Sequence, residues 1–184
     1  MLSREQRRTL MEIAREAVTA AVSGHRPPRR AVDDPHLAEH CGAFVTLKTG
    51  ERLRGCIGQF IADRPLWEVV QRMAVAAAVE DPRFFDERIR PDEVADLDIE
   101  ISVLSPLERT RDPLSLELGR HGIYIRRGHR TGCFLPQVAT ETGWSKEEFL
   151  SHCCAGKAGL APNDWRDPAT EVYLFTAEII EEDN

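Results

Sequence analysis

Apolar residues recur every three or four positions between Leu10 and Ala21, the spacing of one face of a helix. Ser3 and Gln6 precede this run at the spacing of a capping box, and Gly24 follows it. The pattern predicts an amphipathic first helix that packs its apolar face on a core.

Alternation with a period of two replaces the helical spacing in later segments. It is cleanest between Leu97 and Ser105, where apolar and polar residues alternate as in a strand with one buried face. Two further runs, Gly42–Lys48 and Arg52–Ile57, flank Thr49-Gly50 and predict a hairpin. Between these regions, an alanine-rich helix is expected from Pro65 to about Val79.

The second half of the chain repeats the same kinds of element. Strands are predicted at Gly122–Arg126 and Thr131–Leu135, a capped helix from Ser145 to about Cys154, and a closing strand over Glu171–Ile180. Hairpins and separate helices, rather than regular βαβ repeats, favour an α+β fold with mixed or antiparallel sheets. We expect one domain over residues 1–184.

Composition narrows the class of protein. With 184 residues, 42% hydrophobic and 30% charged, the chain is typical of a globular protein, and its net charge of −7 argues against nucleic-acid binding. The basic stretch His25–Arg30 contains two prolines and predicts a solvated linker near residues 25–35. No apolar run is long enough for a membrane span, and five cysteines, two of them adjacent, predict reduced thiols in the cytoplasm.

The stretch L-R-G-C-I-G, Leu53–Gly58, carries the strongest chemical signal. In a strand, Arg54 and Cys56 would share one face, and a guanidinium beside a thiol favours the thiolate. Gly55 and Gly58 would let a ligand or another backbone segment approach closely. The pattern fits a reactive cysteine or an anion pocket, and it equally fits a buried structural cysteine between tightly packed glycines.

Two further titratable residues are candidates for moving protons. Glu100 lies on the polar side of a predicted strand, where near Arg54 it would be a general base or ion-pair partner, and otherwise a solvated carboxylate. His121 lies between glycines in a predicted turn, where it would titrate near neutral pH or simply be exposed.

Four other polar residues have a ligand-binding and a structural interpretation. Asp81 and Arg83 flank a proline just after a helix, where they would bind a ligand or form a salt-bridged turn. Gln137 would offer its amide to a ligand or cap a helix, and Lys157 would bind an anion or pair with the acidic C-terminus.

The sequence does not favour a dedicated metal site. His36 and His40 have i, i+4 spacing if helical, with Cys41 next to them, and His152–Cys154 could add ligands, but no C-x-x-C pair occurs. No Walker lysine loop, G-x-G-x-x-G or H-E-x-x-H motif is present either, so neither nucleotide binding nor metalloprotease chemistry has support. No cofactor is indicated.

Several short motifs follow one another in a specific order over most of the chain. They are L-R-G-C-I-G at Leu53–Gly58, D-P-R-F at Asp81–Phe84, E-I-S-V-L-S-P-L-E at Glu100–Glu108, G-x-H-G-I at Gly119–Ile123, F-L-P-Q-V at Phe134–Val138 and K-A-G-L at Lys157–Leu160. In this order they resemble the AMMECR family, whose prokaryotic members are named protein A of the AmmeMemoRadiSam system.

The resemblance implies an α+β fold of two unequal lobes with a cleft where the motif residues converge. It implies no established reaction, and it suggests Memo-like and radical SAM proteins as partners. Our first hypothesis is an enzyme or enzyme subunit in which Cys56, helped by Arg54, Glu100 and His121, acts on a small anionic or acyl substrate. The alternative is a non-catalytic module that binds a peptide, a nucleic acid or a partner protein through the same cleft.

Overall fold

The structure, a computed structural model, describes residues 1–182, which divide into two compact units. Unit 1 contains Met1–Leu104 and residues 178–182, and unit 2 contains Ser105–Ala177. Each unit has a sheet of four strands and its own helices, so the fold is α+β as predicted. Within the described residues, no helix combines the length and apolar character needed to cross a membrane. The cleft implied by the resemblance stays a prediction.

Unit 1 is built from two α-helices and one sheet. Its elements are α1 (Arg4–Val22), β1 (Ala43–Thr49), β2 (Arg52–Gln59), α2 (Leu66–Val79), β3 (Asp98–Leu104) and, after the strands of unit 2, β8 (Ala177–Glu181). The strand order is β2–β1–β3–β8, and β1 pairs antiparallel with both β2 and β3. Helix α1 starts with the predicted capping box at Ser3, and the β1–β2 hairpin turns at Gly50, whose φ is +57°.

The core of unit 1 lies between its helices and one face of its sheet. Val45, Leu47, Ile99 and Ile101 alternate along β1 and β3, and all four are buried against residues of α1 and α2. The alternation expected from the sequence therefore points its apolar side at the helices. We use the term far face for the opposite face of this sheet, which carries Thr46, Cys56 and Glu100.

A β-bulge interrupts the period of two in β2. Leu47 lies opposite Gly55 whereas the next residue, Lys48, lies opposite Leu53, so Arg54 is an extra residue on β2. Gly55 faces α2, and a Cβ atom there would overlap the backbone carbonyl of Ala77. The lack of a side chain at Gly55 is thus what allows β2 and α2 to pack closely.

The predicted linker is partly anchored. Residues 25–34 form neither helix nor strand, as expected. Arg30 nevertheless pairs with Glu16 of α1 at 2.5 Å, and the Gln71 side chain of α2 donates a hydrogen bond to the carbonyl of Pro28. The segment is therefore held against both α1 and α2 of unit 1.

Unit 2 contains the second sheet and two α-helices. Its elements are β4 (Glu108–Thr110), β5 (Gly122–Arg127), β6 (Arg130–Phe134), α3 (Pro136–Thr142), α4 (Lys146–Gly156) and β7 (Glu171–Phe175). The strand order is β4–β7–β5–β6, with antiparallel pairs throughout. Helix α4 has the capping box predicted at Ser145, and its apolar side packs with Ile123 and Ile125 in a separate core.

The prediction of one closing strand over Glu171–Ile180 is wrong, because two strands in different sheets occupy this segment. Thr176 separates β7 from β8. The Thr176 N–H donates to the Ser105 hydroxyl, and the Thr176 carbonyl accepts from the Ser105 N–H. Thr176 is therefore hydrogen-bonded to Ser105 and belongs to neither strand. Side chains alternate along the sequence without interruption through Thr176. The sequence pattern therefore gives no sign that one strand ends there and another begins.

We predict that Gly55→Ala lowers the free energy of unfolding of unit 1 by about 3 kcal/mol, because the overlapping atom of Ala77 belongs to the backbone and cannot rotate away. Gly156→Ala is the matched control, since a Cβ atom there has open space around it; it should be neutral or stabilise by up to about 1 kcal/mol. Urea denaturation of both variants measures the effect. Equal stability of Gly55→Ala and the parent would contradict the packing of β2 on α2.

Candidate functional site

Cys56 lies in β2 on the far face of the unit 1 sheet, in line with two polar residues. The strand register places Cys56 opposite Thr46 of β1, and Thr46 opposite Glu100 of β3. These three residues therefore form one row across the sheet. The Thr46 hydroxyl donates a hydrogen bond to Cys56 Sγ at 3.3 Å, so the half-buried thiol is held in one orientation.

The backbone of Cys56 bonds away from β1, because β2 is an edge strand of the sheet. Its N–H donates to Asp81 Oδ2 at 2.9 Å, and its carbonyl accepts from Arg83 Nη2 at 3.1 Å. Thr46 and Cys56 therefore form a non-hydrogen-bonded pair, the type whose Cα atoms approach to about 4.5 Å. That close approach brings the hydroxyl and the thiol into contact.

Asp81 is buried and its carboxylate has no acceptor position left for a ligand. Oδ1 accepts from the backbone N–H and the Nε of Arg83, and Oδ2 accepts from Cys56 N–H and Arg83 Nη2. These four bonds match the four lone-pair positions of a carboxylate. They lower the pKa of Asp81 to about 2, chiefly through the Arg83 side chain. The salt-bridged turn is thus confirmed. The Asp81 carboxylate has no free acceptor position with which to bind a ligand directly.

Arg83 is the guanidinium beside the thiol, and one of its amino groups is free. Nε and Nη2 hold Asp81 and the Cys56 carbonyl, whereas Nη1 bonds no acceptor among residues 1–182. The hydrogen bond to Asp81 raises the pKa of Arg83, and the neighbouring Cys56 contributes in the same direction. More than half of the Arg83 side chain is exposed, so Nη1 is available to a ligand next to Cys56.

The prediction that Arg54 shares a face with Cys56 is wrong. The bulge places Arg54 on the helix side, where it is buried and bonds to Thr49 and, at 3.2 Å, to Glu93. Its guanidinium accordingly lowers the pKa of the Glu93 carboxyl. Arg54 is a structural ion-pair partner in unit 1.

Glu100 also has a different partner from the one expected. Its carboxylate pairs with Lys48 Nζ at 3.3 Å, and its side chain is 18% exposed. Neither Thr46 nor Lys48 was identified from the sequence. Their places follow from the hairpin register once Thr46 is set opposite Cys56, because Lys48 is the next residue on the same side of β1.

The two glycines of the motif have packing reasons. Gly55 faces α2, as described above, and a Cβ atom on Gly58 would overlap the ring of Phe44. Phe44 in turn packs edge-on against Phe60, with ring centroids 4.9 Å apart. The close approach that these glycines permit is therefore by protein atoms, not by a ligand.

Three of the predicted site residues belong to unit 2. His121 accepts a hydrogen bond from the Glu117 N–H at Nδ1, 3.0 Å away. Gln137 is the second residue of α3 and is half-buried, and its carbonyl accepts from the Thr140 hydroxyl. Lys157 is exposed at the end of α4, with Nζ 5.8 Å from the centre of the Phe134 ring.

The other four cysteines differ from Cys56 in their surroundings. Burial raises the pKa of the Cys133 and Cys154 thiols to about 11. It also raises the pKa of Cys41 and Cys153, the latter completely buried in the core of unit 2. These four thiols therefore hold little thiolate near neutral pH.

The histidine and cysteine clusters weighed as metal ligands do not come together. Residues 35–38 form turns, so His36 and His40 do not share a helix face, and His36 pairs with Glu39. Over the part of the chain that is described, no three His, Cys, Asp or Glu side chains are grouped to hold a metal ion.

The Asp81 carboxylate should make stability fall in acid. Its pKa is lowered from 3.8 to about 2 in the folded state, so its contribution is full above pH 4 and is lost as pH falls to 2. The loss amounts to about 2 kcal/mol. We expect Asp81→Asn to lack this pH dependence in urea titrations between pH 5 and 2, while Asp63→Asn, at an exposed carboxylate, keeps it. Identical slopes for Asp81→Asn and the parent would refute the account.

Comparison with known proteins places this chain among sequences of one family. The family model AMMECR1 matches residues 11–180. A protein of Methanothermobacter thermautotrophicus is 42% identical, covering 99% of this chain and 97% of that protein. Protein MK0488 of Methanopyrus kandleri is 41% identical, covering 99% of this chain and 91% of its own length.

A solved structure has the same fold. The crystal structure of the uncharacterised protein PH0010 from Pyrococcus horikoshii matches with a TM-score of 0.84 and 39% identity, over 95% of this chain and 90% of that one. The motifs around Cys56 and Asp81 lie within residues 11–180, the part of the chain that the family model matches. By sequence and by fold, the chain belongs to the AMMECR1 family.

Proposed function

We propose that this protein is a thiol-dependent enzyme, or the catalytic subunit of one, that acts on a small negatively charged acyl compound. The observation that carries the proposal is the setting of Cys56. Its thiol accepts a hydrogen bond from the Thr46 hydroxyl and lies on the same face as Glu100, and its backbone carbonyl accepts from Nη2 of Arg83, whose Nη1 group is free. A nucleophile, an oriented hydroxyl and an anion-binding group together are what acyl transfer needs.

The chemistry assigns one role to each residue. Cys56 reacts as the thiolate after losing its proton to the solvent, and Sγ attacks the carbonyl carbon of the substrate while Sγ accepts the hydrogen bond from the Thr46 hydroxyl. The bond from that carbon to the leaving group breaks, and the leaving group takes up a proton from the solvent. Water then attacks the thioester and gives a proton to Glu100, the S–C bond breaks, the acid is released, and the thiol receives that proton. The net reaction is hydrolysis, with no oxidant or reductant.

Arg83 gives the proposal its substrate preference. Its Nε and Nη2 atoms are occupied by Asp81 and the Cys56 carbonyl, which fixes the guanidinium in place. The remaining Nη1 group donates to a carboxylate or a developing oxyanion, and such charge-assisted bonds are the stronger kind. Lys48 pairs with Glu100 and holds that carboxylate on the far face.

Alkylation provides the first test. With iodoacetamide at pH 7.5, we expect Cys56 to react at least about tenfold faster than Cys133, because burial raises the pKa of Cys133 to about 11. Peptide mass spectrometry resolves the five thiols. Arg83→Gln should slow the Cys56 reaction and Arg83→Lys should largely restore it, since the rate depends on a nearby positive charge. Slow alkylation of Cys56 would identify it as a structural thiol.

A matched pair of esters tests the acyl chemistry. Mono(4-nitrophenyl) adipate carries a carboxylate, whereas 4-nitrophenyl hexanoate has a similar length and no charge. We expect the adipate ester to acylate Cys56 about tenfold faster, as seen by nitrophenolate release and by the mass of the Cys56 peptide. The preference should vanish in Arg83→Gln, and acylation should vanish in Cys56→Ser.

The same experiment separates catalysis from binding alone. Glu100→Gln should slow hydrolysis of the acylated Cys56 while leaving alkylation by iodoacetamide nearly unchanged, because only the hydrolysis needs a base that takes a proton from water. A reactive Cys56 that no ester acylates would instead favour the non-catalytic module that binds a peptide or a partner protein. Association with Memo-like and radical SAM proteins, and a cytoplasmic location, are part of our proposal on the strength of the family resemblance and the free thiols.

A further inference from the structure

A second candidate site lies entirely within unit 2. A cavity of about 500 Å³ opens beside the edge strand β4, a size typical of small-molecule sites. Three guanidinium groups and one carboxylate line it, in a protein whose net charge is −7. Two segments that the sequence analysis singled out, Glu100–Glu108 and Gly119–Ile123, contribute to this lining through Glu108 and His121.

The three arginines differ in how they are held. Arg109 pairs with Glu171 at 3.4 Å and Arg120 pairs with Glu117 at 2.9 Å, so each is positioned by a carboxylate that does not line the cavity. Arg111 is exposed, and the structure of residues 1–182 gives it no ion-pair partner. It is therefore the cation of this cavity that remains uncompensated.

The turn that carries Arg111 is fixed by its neighbours. The Thr110 hydroxyl accepts from the Asp112 N–H and donates to the Asp112 carbonyl, and the Ser115 hydroxyl donates to the same carbonyl at 2.7 Å. These bonds tie the chain on both sides of Arg111. The Arg111 side chain is long and can adjust its position, but the backbone that carries it is ordered before any ligand binds.

His121 adds a directed donor. The Glu117 N–H donates to Nδ1, and the His121 N–H donates to the Glu117 carbonyl at 2.8 Å, so ring and backbone are both fixed. A neutral imidazole carries one ring proton. Because Nδ1 accepts a hydrogen bond, that proton lies on Nε2, and Nε2–H is the donor. The cavity thus has guanidinium groups and one imidazole N–H arranged around the same space.

We propose that this cavity binds a phosphate monoester of a small hydroxylated compound. A phosphate dianion offers three acceptor oxygens to these donors, whereas a carboxylate offers two, and guanidinium forks match phosphate geometry. The one lining carboxylate, Glu108, accepts from a hydroxyl group of the organic part. This site goes beyond the function proposed for Cys56, which lies in unit 1.

Ribose 5-phosphate is the probe, titrated by calorimetry at pH 7.5 into the whole protein at low salt. We expect saturable binding, no binding of ribose, and weaker binding of inorganic phosphate. Arg111→Gln should weaken ribose 5-phosphate binding by about 10- to 100-fold, the usual effect of losing one charge-assisted bond. Because Arg111 is exposed and makes no ion pair within the described chain, this variant should fold normally.

Two controls keep the outcome specific. Arg26→Gln makes the same charge change at an exposed arginine outside the cavity and should leave the affinity unchanged. Cys56→Ser should also bind ribose 5-phosphate like the parent, so failure here and failure of the thiol proposal are distinguishable. The proposal is overturned if ribose 5-phosphate gives no saturable heat up to about 10 mM, tenfold above a Kd of about 1 mM, if Arg111→Gln binds equally well, or if only an oligonucleotide binds.

Discussion

One buried carboxylate organises the candidate site. The Asp81 carboxylate accepts a hydrogen bond from the Cys56 N–H and further hydrogen bonds from Arg83. It thereby joins an edge strand to a turn that follows α2. An edge strand normally exposes its backbone groups and invites pairing with other chains. Here the backbone of Cys56 is satisfied by side chains, which closes that part of the edge without adding another strand. The thiol, the hydroxyl that contacts it and the guanidinium beside it all take their positions from this arrangement.

The structure keeps the chemistry that the sequence suggested and changes the residue that supplies it. A guanidinium does lie next to Cys56, but it belongs to Arg83, 27 positions along the chain, not to Arg54. The reason is the bulge, since one extra residue reverses the side on which Arg54 emerges. Arg54 then becomes buried, and burial of a guanidinium requires a carboxylate, which Glu93 provides.

Local patterns predicted the elements well where one interaction decides the outcome. The capping boxes at Ser3 and Ser145 and the turn at Gly50 depend on residues close in sequence, so they could be identified without coordinates. The bulge at Arg54 and the break at Thr176 depend on what packs or pairs with them from distant parts of the chain. Asp81 shows the same limit at the site, because its partner Cys56 lies 25 residues earlier.

The chain order of the first sheet has a consequence for synthesis. Strand β3 ends at Leu104, and its outer neighbour β8 begins at Ala177, with all of unit 2 encoded between them. While the ribosome makes those residues, β3 has β1 on one side and an unpaired edge on the other. Non-local strand pairing of this kind is slow and exposes nascent chains to aggregation. Unit 2 gives no early relief, because its own sheet needs β7, and Thr176 alone separates β7 from β8. The two sheets therefore receive their last strands at the same late stage of synthesis.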